Sequence, residues 1–232
     1  MSKKLVGIIG AMNIEVDGLK ALISNPKEET FGKITFVSGK MFGHDVVVAK
    51  SGVGKVFSAI CAQTMILKYS PVCIINSGIA GALNKSLGVL DAVIADKVVQ
   101  YDVDLTPVGC DLGCLPEIHK VFLECDENIR DRLFDAASCI AERAITGIVA
   151  TGDSFVASSE KNEQLRTLFG ADACEMEGGS IGQVCFSNDV PFGILRTISD
   201  GGNEDARLSY ERFEELAAKQ AIAIIGAFIK AL

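Results

Sequence analysis

A chain of 232 residues has room for one large domain or two small ones, and a composition of 49% apolar and 22% charged residues is that of a globular protein rather than a disordered one. Acidic side chains number 30 against 22 basic ones; the formal net charge of −8 argues against the clustered Lys and Arg of an extended nucleic-acid surface and favours small ligands or protein partners. Mean hydropathy is +0.33, yet the longest uncharged run, residues 69–84, is broken by Pro, Asn and Gly, so no membrane span is expected.

In chain order, Lys3 and Lys4 precede an apolar stretch that mimics a secretory leader, but Glu15 and Asp17 follow at once and no small-residue cleavage site does, so export is not expected. Residues 5–10 read as a strand. Further strand-length apolar runs, with β-branched residues common, fall at 34–38, 46–49, 72–75, 92–95, 145–150 and 192–198. Helical spacing marks 55–68, where Val56, Ala59, Ile60, Met65 and Leu67 share one broad side. It marks the end of the chain too, where Phe213, Leu216, Ala217, Ala221, Ile224, Ile225 and Phe228 recur at steps of three and four. Strands apolar on both faces, alternating with helices, predict an α/β protein whose sheet is covered on both sides. No repeat, low-complexity tract or Ser/Pro-rich linker interrupts residues 1–232, which read as one domain, and the Gly-rich polar segment 201–208 is the expected mobile loop.

Several predicted strands end in glycine turns: Gly10-Ala-Met12, Ser51-Gly-Val-Gly-Lys55, Asn76-Ser-Gly-Ile-Ala-Gly81 and Thr151-Gly-Asp153. Such turns let a backbone approach a ligand. Residues 51–55 lack the last Gly of a dinucleotide fingerprint and the spacing of a nucleotide P-loop, which argues against both cofactors. Ligands of open α/β sheets bind beyond the carboxyl ends of strands, so the turns predict a pocket without naming its contents. Glu15, Glu177 and Asp200 follow apolar segments. They fit two readings: helix-start carboxylates with a strand-terminal turn, or three acids converging on one pocket, one protonating a leaving group while another activates water. Eight cysteines are too sparse for a disulfide scaffold and suggest a reduced cytoplasmic protein. Cys110 and Cys114 find no second ligand pair, His44 and His119 being the only histidines, so no metal is expected.

Taken together, Gly7-Ile-Ile-Gly-Ala-Met12 with Glu15, Lys50-Ser-Gly-Val-Gly-Lys55-Val, the 76–81 turn, Tyr101-Asp-Val-Asp-Leu-Thr, Thr151-Gly-Asp-Ser-Phe155, Glu175-Met-Glu177 and Arg196-Thr-Ile-Ser-Asp200 resemble the 5′-methylthioadenosine/S-adenosylhomocysteine nucleosidases, in order and over nearly the whole chain. The resemblance implies the purine nucleoside phosphorylase-like fold, a single three-layer α/β/α domain around a mixed, partly barrel-like sheet, acting as a homodimer without a cofactor. It also implies hydrolysis of the ribose–adenine bond, with Asp200 protonating purine N7 and Glu15 activating water. Met176 and Glu177 would hold the ribose hydroxyls, Phe155 would stack on adenine and the backbone of Val156 would contact it. Met12, Val53 and Tyr210 would line the ribose and 5′ end, Arg196 would support the site near Glu15, and Ile79, Ala80, Glu175 and Ser199 complete the implied substrate shell. Leu105, Val108 and Pro116 would close the 5′ pocket across the dimer interface.

The chain departs from this pattern at three places: Val108 where a larger aromatic is common, Ile79 where a small hydroxyl residue is frequent, and Asn13-Ile14 where acidic neighbours are frequent. The first two leave open the balance among methylthioadenosine, S-adenosylhomocysteine, 5′-deoxyadenosine and aminofutalosine. Two rival functions stand beside hydrolysis, namely a phosphate-dependent phosphorylase and a nucleoside-binding protein without catalysis. A phosphate nucleophile calls for Arg or Lys clamps, whereas the first arginine of this chain is Arg130; Lys50 and Lys55 are the remaining candidates.

Overall fold

The computed structural model describes residues 4–232, and among these ten strands form one mixed sheet flanked by six α-helices. The fully buried β1 (Val6–Gly10) lies parallel to both β4 (His44–Lys50) and β5 (Cys73–Ala82). Beyond β5 the sheet closes on itself. β5 pairs with β10 (Phe192–Asp200), β10 with β6 (Ala92–Gln100), β6 with β8 (Ala144–Thr151), β8 with β9 (Ala173–Glu175), and β9 pairs back onto β5. That circuit is the barrel-like part of the sheet; β7 (Phe122–Glu124) adds to β6 outside it.

Strand alternation divides the core into two layers. Val6 and Ile8 of β1 and Val46 and Val48 of β4 pack with Leu19, Leu133 and Ile225, which belong to α1 (Asn13–Ala21), α3 (Glu127–Ser138) and α6 (Ala206–Lys230). Ile9, Val47 and Ala49 point the other way, toward Met65 and Ile181 of α2 (Lys55–Tyr69) and α5 (Gly178–Ser187). Strands apolar on both faces are what this double cover requires.

The structure differs from the sequence reading in several elements. β5 runs on through residues 76–81, read as a glycine turn, and the short β7 and β9 were not anticipated. The last helix begins at Ala206, seven residues before Phe213, which shortens the 201–208 loop to 201–205. Its extra turns contain no Gly or Pro and gain an Arg207–Glu211 ion pair of 2.9 Å at helical i, i+4 spacing. An unanticipated strand, β2 (Ser24–Phe31), pairs with β3 (Ile34–Met41) as the sheet edge; it is polar and mostly exposed, so no burial pattern announced it, and Pro26 sits in its register shift.

Because β1, β4, β5 and β10 are parallel, their carboxyl ends open on one side of the sheet. There β9 crosses the end of β5 antiparallel, setting Cys174 opposite Gly81.

Candidate active site

Glu15 is the third residue of α1, and its carboxylate turns back on the β1 turn that precedes the helix. Oε2 accepts the Ala11 and Met12 amides at 2.7 and 2.9 Å, and Oε1 accepts the Ile79 amide of β5 at 3.1 Å. Glycine is needed on both sides of this cradle, since a Cβ on Gly10 would sit 2.7 Å from Val16 Cγ1 and one on Gly78 2.6 Å from Glu15 Oε1. Burial pushes the Glu15 pKa up, against the pull of Arg196 and the three amides.

Asp200 is the last residue of β10 and 2% exposed. Its carboxyl accepts the Ser199 hydroxyl at 2.9 Å on Oδ2 and the Gly202 amide at 2.9 Å on Oδ1. Burial raises its pKa despite both hydrogen bonds. Glu177, at the start of α5, receives the Gly54 amide at 2.9 Å from the loop after β4. Burial and the neighbouring Glu175 carboxylate push its pKa up to about 8. The three acids are thus helix-start and strand-end residues that also converge on one cavity.

Behind them lies a sealed ion pair. Arg196, 1% exposed, reaches from β10 to Glu175 and to the Asn76 side chain, and also donates to the Leu195 carbonyl at 2.9 Å. Burial opposes its charge, but Glu175, Glu177 and Glu15 outweigh that and hold its pKa above the usual value. The Glu175 carboxylate is occupied from every side, by Arg196, the Thr151 hydroxyl and the Glu177 and Gly178 amides at 2.9 and 2.7 Å. It is thus built as a support for Glu177 and Arg196.

Glu15, Glu177 and Asp200 line one cavity of about 410 Å³ together with Met12, Val53, Ile79, Ala80, Phe155, Glu175, Met176, Ser199 and Tyr210. Phe155 and Tyr210 meet edge to face at 5.6 Å across it, and the Tyr210 hydroxyl contacts Met12 Sδ at 3.3 Å. Val156 lines a small adjoining recess that shares Phe155 and Asp200, while Arg196 stands behind the wall. Leu105, Val108 and Pro116 lie outside the cavity of their own chain, Val108 at 74% exposure. Sequence reasoning missed Thr151 and Asn76 as holders of the buried pair. It also missed Cys174 in the wall and the Arg207–Glu211 pair at the mouth, since all depend on contacts between distant segments. Among the described residues no group of His, Cys, Asp and Glu has the geometry to hold a metal ion.

The family model of the phosphorylase superfamily matches residues 5–230. The 5′-methylthioadenosine/S-adenosylhomocysteine nucleosidase of Halalkalibacterium halodurans is 39% identical over 226 residues, covering 95% of this chain and 97% of the relative, and that of Haemophilus influenzae is 37% identical over 228 residues, covering 98% and 99%. In structure, the Neisseria meningitidis nucleosidase bound to methylthio-immucillin-A superposes with a TM-score of 0.95 at 33% identity over 99% of this chain and 100% of that one. A futalosine hydrolase of Helicobacter pylori gives 0.94 at 34% identity over 99% of both. With the site geometry, near-complete coverage and identities well above 30%, the chain belongs to the 5′-methylthioadenosine/S-adenosylhomocysteine nucleosidase family of the phosphorylase superfamily.

Proposed function

We propose that this protein hydrolyses the ribose–adenine bond of 5′-methylthioadenosine and S-adenosylhomocysteine, with 5′-deoxyadenosine and aminofutalosine as further substrates to be tested. The carrying observation is that Asp200 and Glu15, both raised in pKa by burial, face one cavity with Glu177 and Phe155. Adenine leaves poorly as an anion. A proton delivered by Asp200 to N7 lets it depart neutral, and the ribosyl group acquires oxocarbenium character. Glu15 orients water against that sugar and takes its proton; the raised proton affinity suits a base working near neutral pH. Glu177 and Met176 hold the ribose hydroxyls, Phe155 stacks on the base beside the Val156 backbone, and Met12, Val53 and Tyr210 enclose the ribose and the 5′ end. Arg196, Glu175 and Ser199 keep the three acids in place.

Hydrolysis is favoured over phosphorolysis by the charges around the cavity. Among the described residues the cation lining it is Arg207, at the mouth and paired with Glu211. Lys55 is bound to Asp102 at 2.6 Å, and neither Lys50 nor Lys55 lines the cavity. A phosphate dianion placed among three carboxylates would be repelled. In this reading residues 1–232 work as one domain, within a homodimer in the cytoplasm that serves methionine salvage. The apolar Val56, Phe57 and Ile60, exposed on the outer side of α2, and exposed Val108 suit a dimer interface, and the eight free thiols suit a reducing compartment. Adenine release from the four nucleosides, with and without phosphate, tests the reading: release without phosphate is expected, and strict phosphate dependence or no release overturns it.

A further inference from the structure

We propose that Asn162 and Glu204 are positioning residues for Asp200, forming a clasp that ties the loop behind the proton donor to the segment that stacks on the base. The inference rests on the assignment of Asp200 as the acid. After Asp200 the chain makes a tight turn in which Gly202 adopts φ +55° and donates its amide to the Asp200 carboxyl. Gly202 can hold that carboxyl only if its own peptide is held, and α4 (Ser159–Phe169) holds it. The Asn162 side-chain amide donates to the Gly201 carbonyl at 3.0 Å and the Gly202 carbonyl at 3.4 Å, and to the Ala82 carbonyl at the end of β5 at 2.9 Å. One side chain thereby pins the acid's loop to the sheet.

Two residues further on, the Glu204 carboxylate crosses to the first turn of the same helix and accepts the Ser159 amide at 2.9 Å and its hydroxyl at 2.6 Å. Ser159 lies four residues after Phe155, so this contact joins the base-stacking segment to the acid's loop. Neither Asn162 nor Glu204 lines the cavity. They act through Gly202: a loosened clasp leaves Asp200 with one hydrogen bond fewer to its ionised form and a less defined aim. The other ionisable groups lining the cavity with Asp200 are Glu15 of α1, Cys174 and Glu175 of β9, Glu177 of α5, and Arg207, Tyr210 and Glu211 of α6; burial pushes Cys174 and Tyr210 upward, and none of these groups is altered in the clasp variants, so a change of profile between variants reads Asp200.

The test is steady-state hydrolysis of 5′-methylthioadenosine across pH by the wild-type protein, Asn162→Ala, Glu204→Ala, Ser159→Ala and the Ser159→Ala/Glu204→Ala double variant. Asn162→Ala is expected to lose about 10-fold in kcat with KM changed less than about 3-fold, the order seen when a catalytic group is misplaced rather than removed. Because the Gly202 amide stabilises the carboxylate, loosening it raises the Asp200 pKa and moves the alkaline limb of kcat/KM to higher pH by about half a unit. Glu204→Ala and Ser159→Ala are each expected to lose about 3-fold, and the double variant no more than either alone, as for two ends of one contact. Glu204 is exposed, so its variant folds whether or not Asn162→Ala does. The clasp is overturned if Glu204→Ala keeps wild-type kcat, if its effect multiplies with that of Ser159→Ala, or if a folded Asn162→Ala retains the wild-type pH profile. A wild-type protein that releases no adenine would instead overturn the assignment of Asp200.

Discussion

Glu177→Gln should make this protein more stable and less active at once. The side chain is buried, its ordinary pKa of 4.5 is pushed up to about 8 by burial and by Glu175, and its one amide partner, Gly54, would be served equally by a glutamine oxygen. A carboxyl that binds its proton more tightly in the folded state costs stability once pH exceeds the unfolded pKa. The cost grows as pH rises and levels off above the folded pKa. At about pH 7.5 the wild-type chain stands roughly three units above the unfolded value, at about 1.4 kcal/mol per unit, which gives an upper bound of about 4 kcal/mol. Relaxation around the site and the desolvation of the amide itself reduce the expected gain to about 2 kcal/mol. Urea unfolding at about pH 7.5 should show that gain, and near pH 4.5 it should shrink below about 0.5 kcal/mol. Adenine release should meanwhile fall by about 10- to 100-fold in kcat/KM, the loss expected from the proposed role of Glu177 in holding the ribose hydroxyls. A variant no more stable than the wild type at the higher pH, or equally stabilised at both, would refute the reasoning.

Glu15→Gln and Asp200→Asn should each lose at least about 100-fold in turnover while still binding nucleoside, as measured by adenine release and by calorimetric titration with a non-hydrolysable analogue; near-normal turnover in either removes it from the mechanism. Arg196→Met leaves Glu175 buried without its cation and should cost about 3–5 kcal/mol in chemical denaturation, and a loss below about 1 kcal/mol would show that the pair is not what holds the strand ends together. Phe155→Ala should raise KM about 10-fold, the scale of one base stack, with kcat within about 3-fold; an effect confined to kcat would place the ring elsewhere than on the base.

How much of this was legible in the sequence follows from which forces are local. The all-buried strands β1 and β10 announced themselves as apolar runs, and the Glu15 and Asp200 positions followed from where those runs end; β5 was read only to residue 75, because its Asn76-Ser-Gly-Ile-Ala-Gly81 half looks like a turn and is held extended by its neighbours in the sheet. β2 was invisible because an edge strand is stabilised by pairing with β3, and its SNPKEETF sequence carries no burial signal. Glu175 and Glu177 looked alike in the sequence, separated only by Met176. The fold parts them, since Glu175 ends β9 with its carboxylate taken up by Thr151 and Arg196 whereas Glu177 opens α5 with the Gly54 amide as its side-chain partner, although both border the cavity. Asn162 carried no signal at all, because its three carbonyl partners come from Ala82, Gly201 and Gly202, far away in the chain.

The same burial that makes the site expensive to fold gives it its chemistry. Around the single buried guanidinium of Arg196 stand Glu15, Glu175 and Glu177, all largely buried, and full ionisation of all three would leave two negative charges uncompensated there. Burial pushes the proton affinity of Glu15 and Glu177 up. During bond cleavage a positive charge spreads over the ribosyl ring in the same cavity, and it is the compensation the carboxylates lack. On the proposed roles, the attraction between that charge and the carboxylates is stronger in the transition state than in the ground state, which is the condition for binding energy to lower the barrier rather than KM. Asp200 stands apart from this group, held by one hydroxyl and one amide, an arrangement that suits the proposed donor of a proton to the base while the other acids meet the sugar.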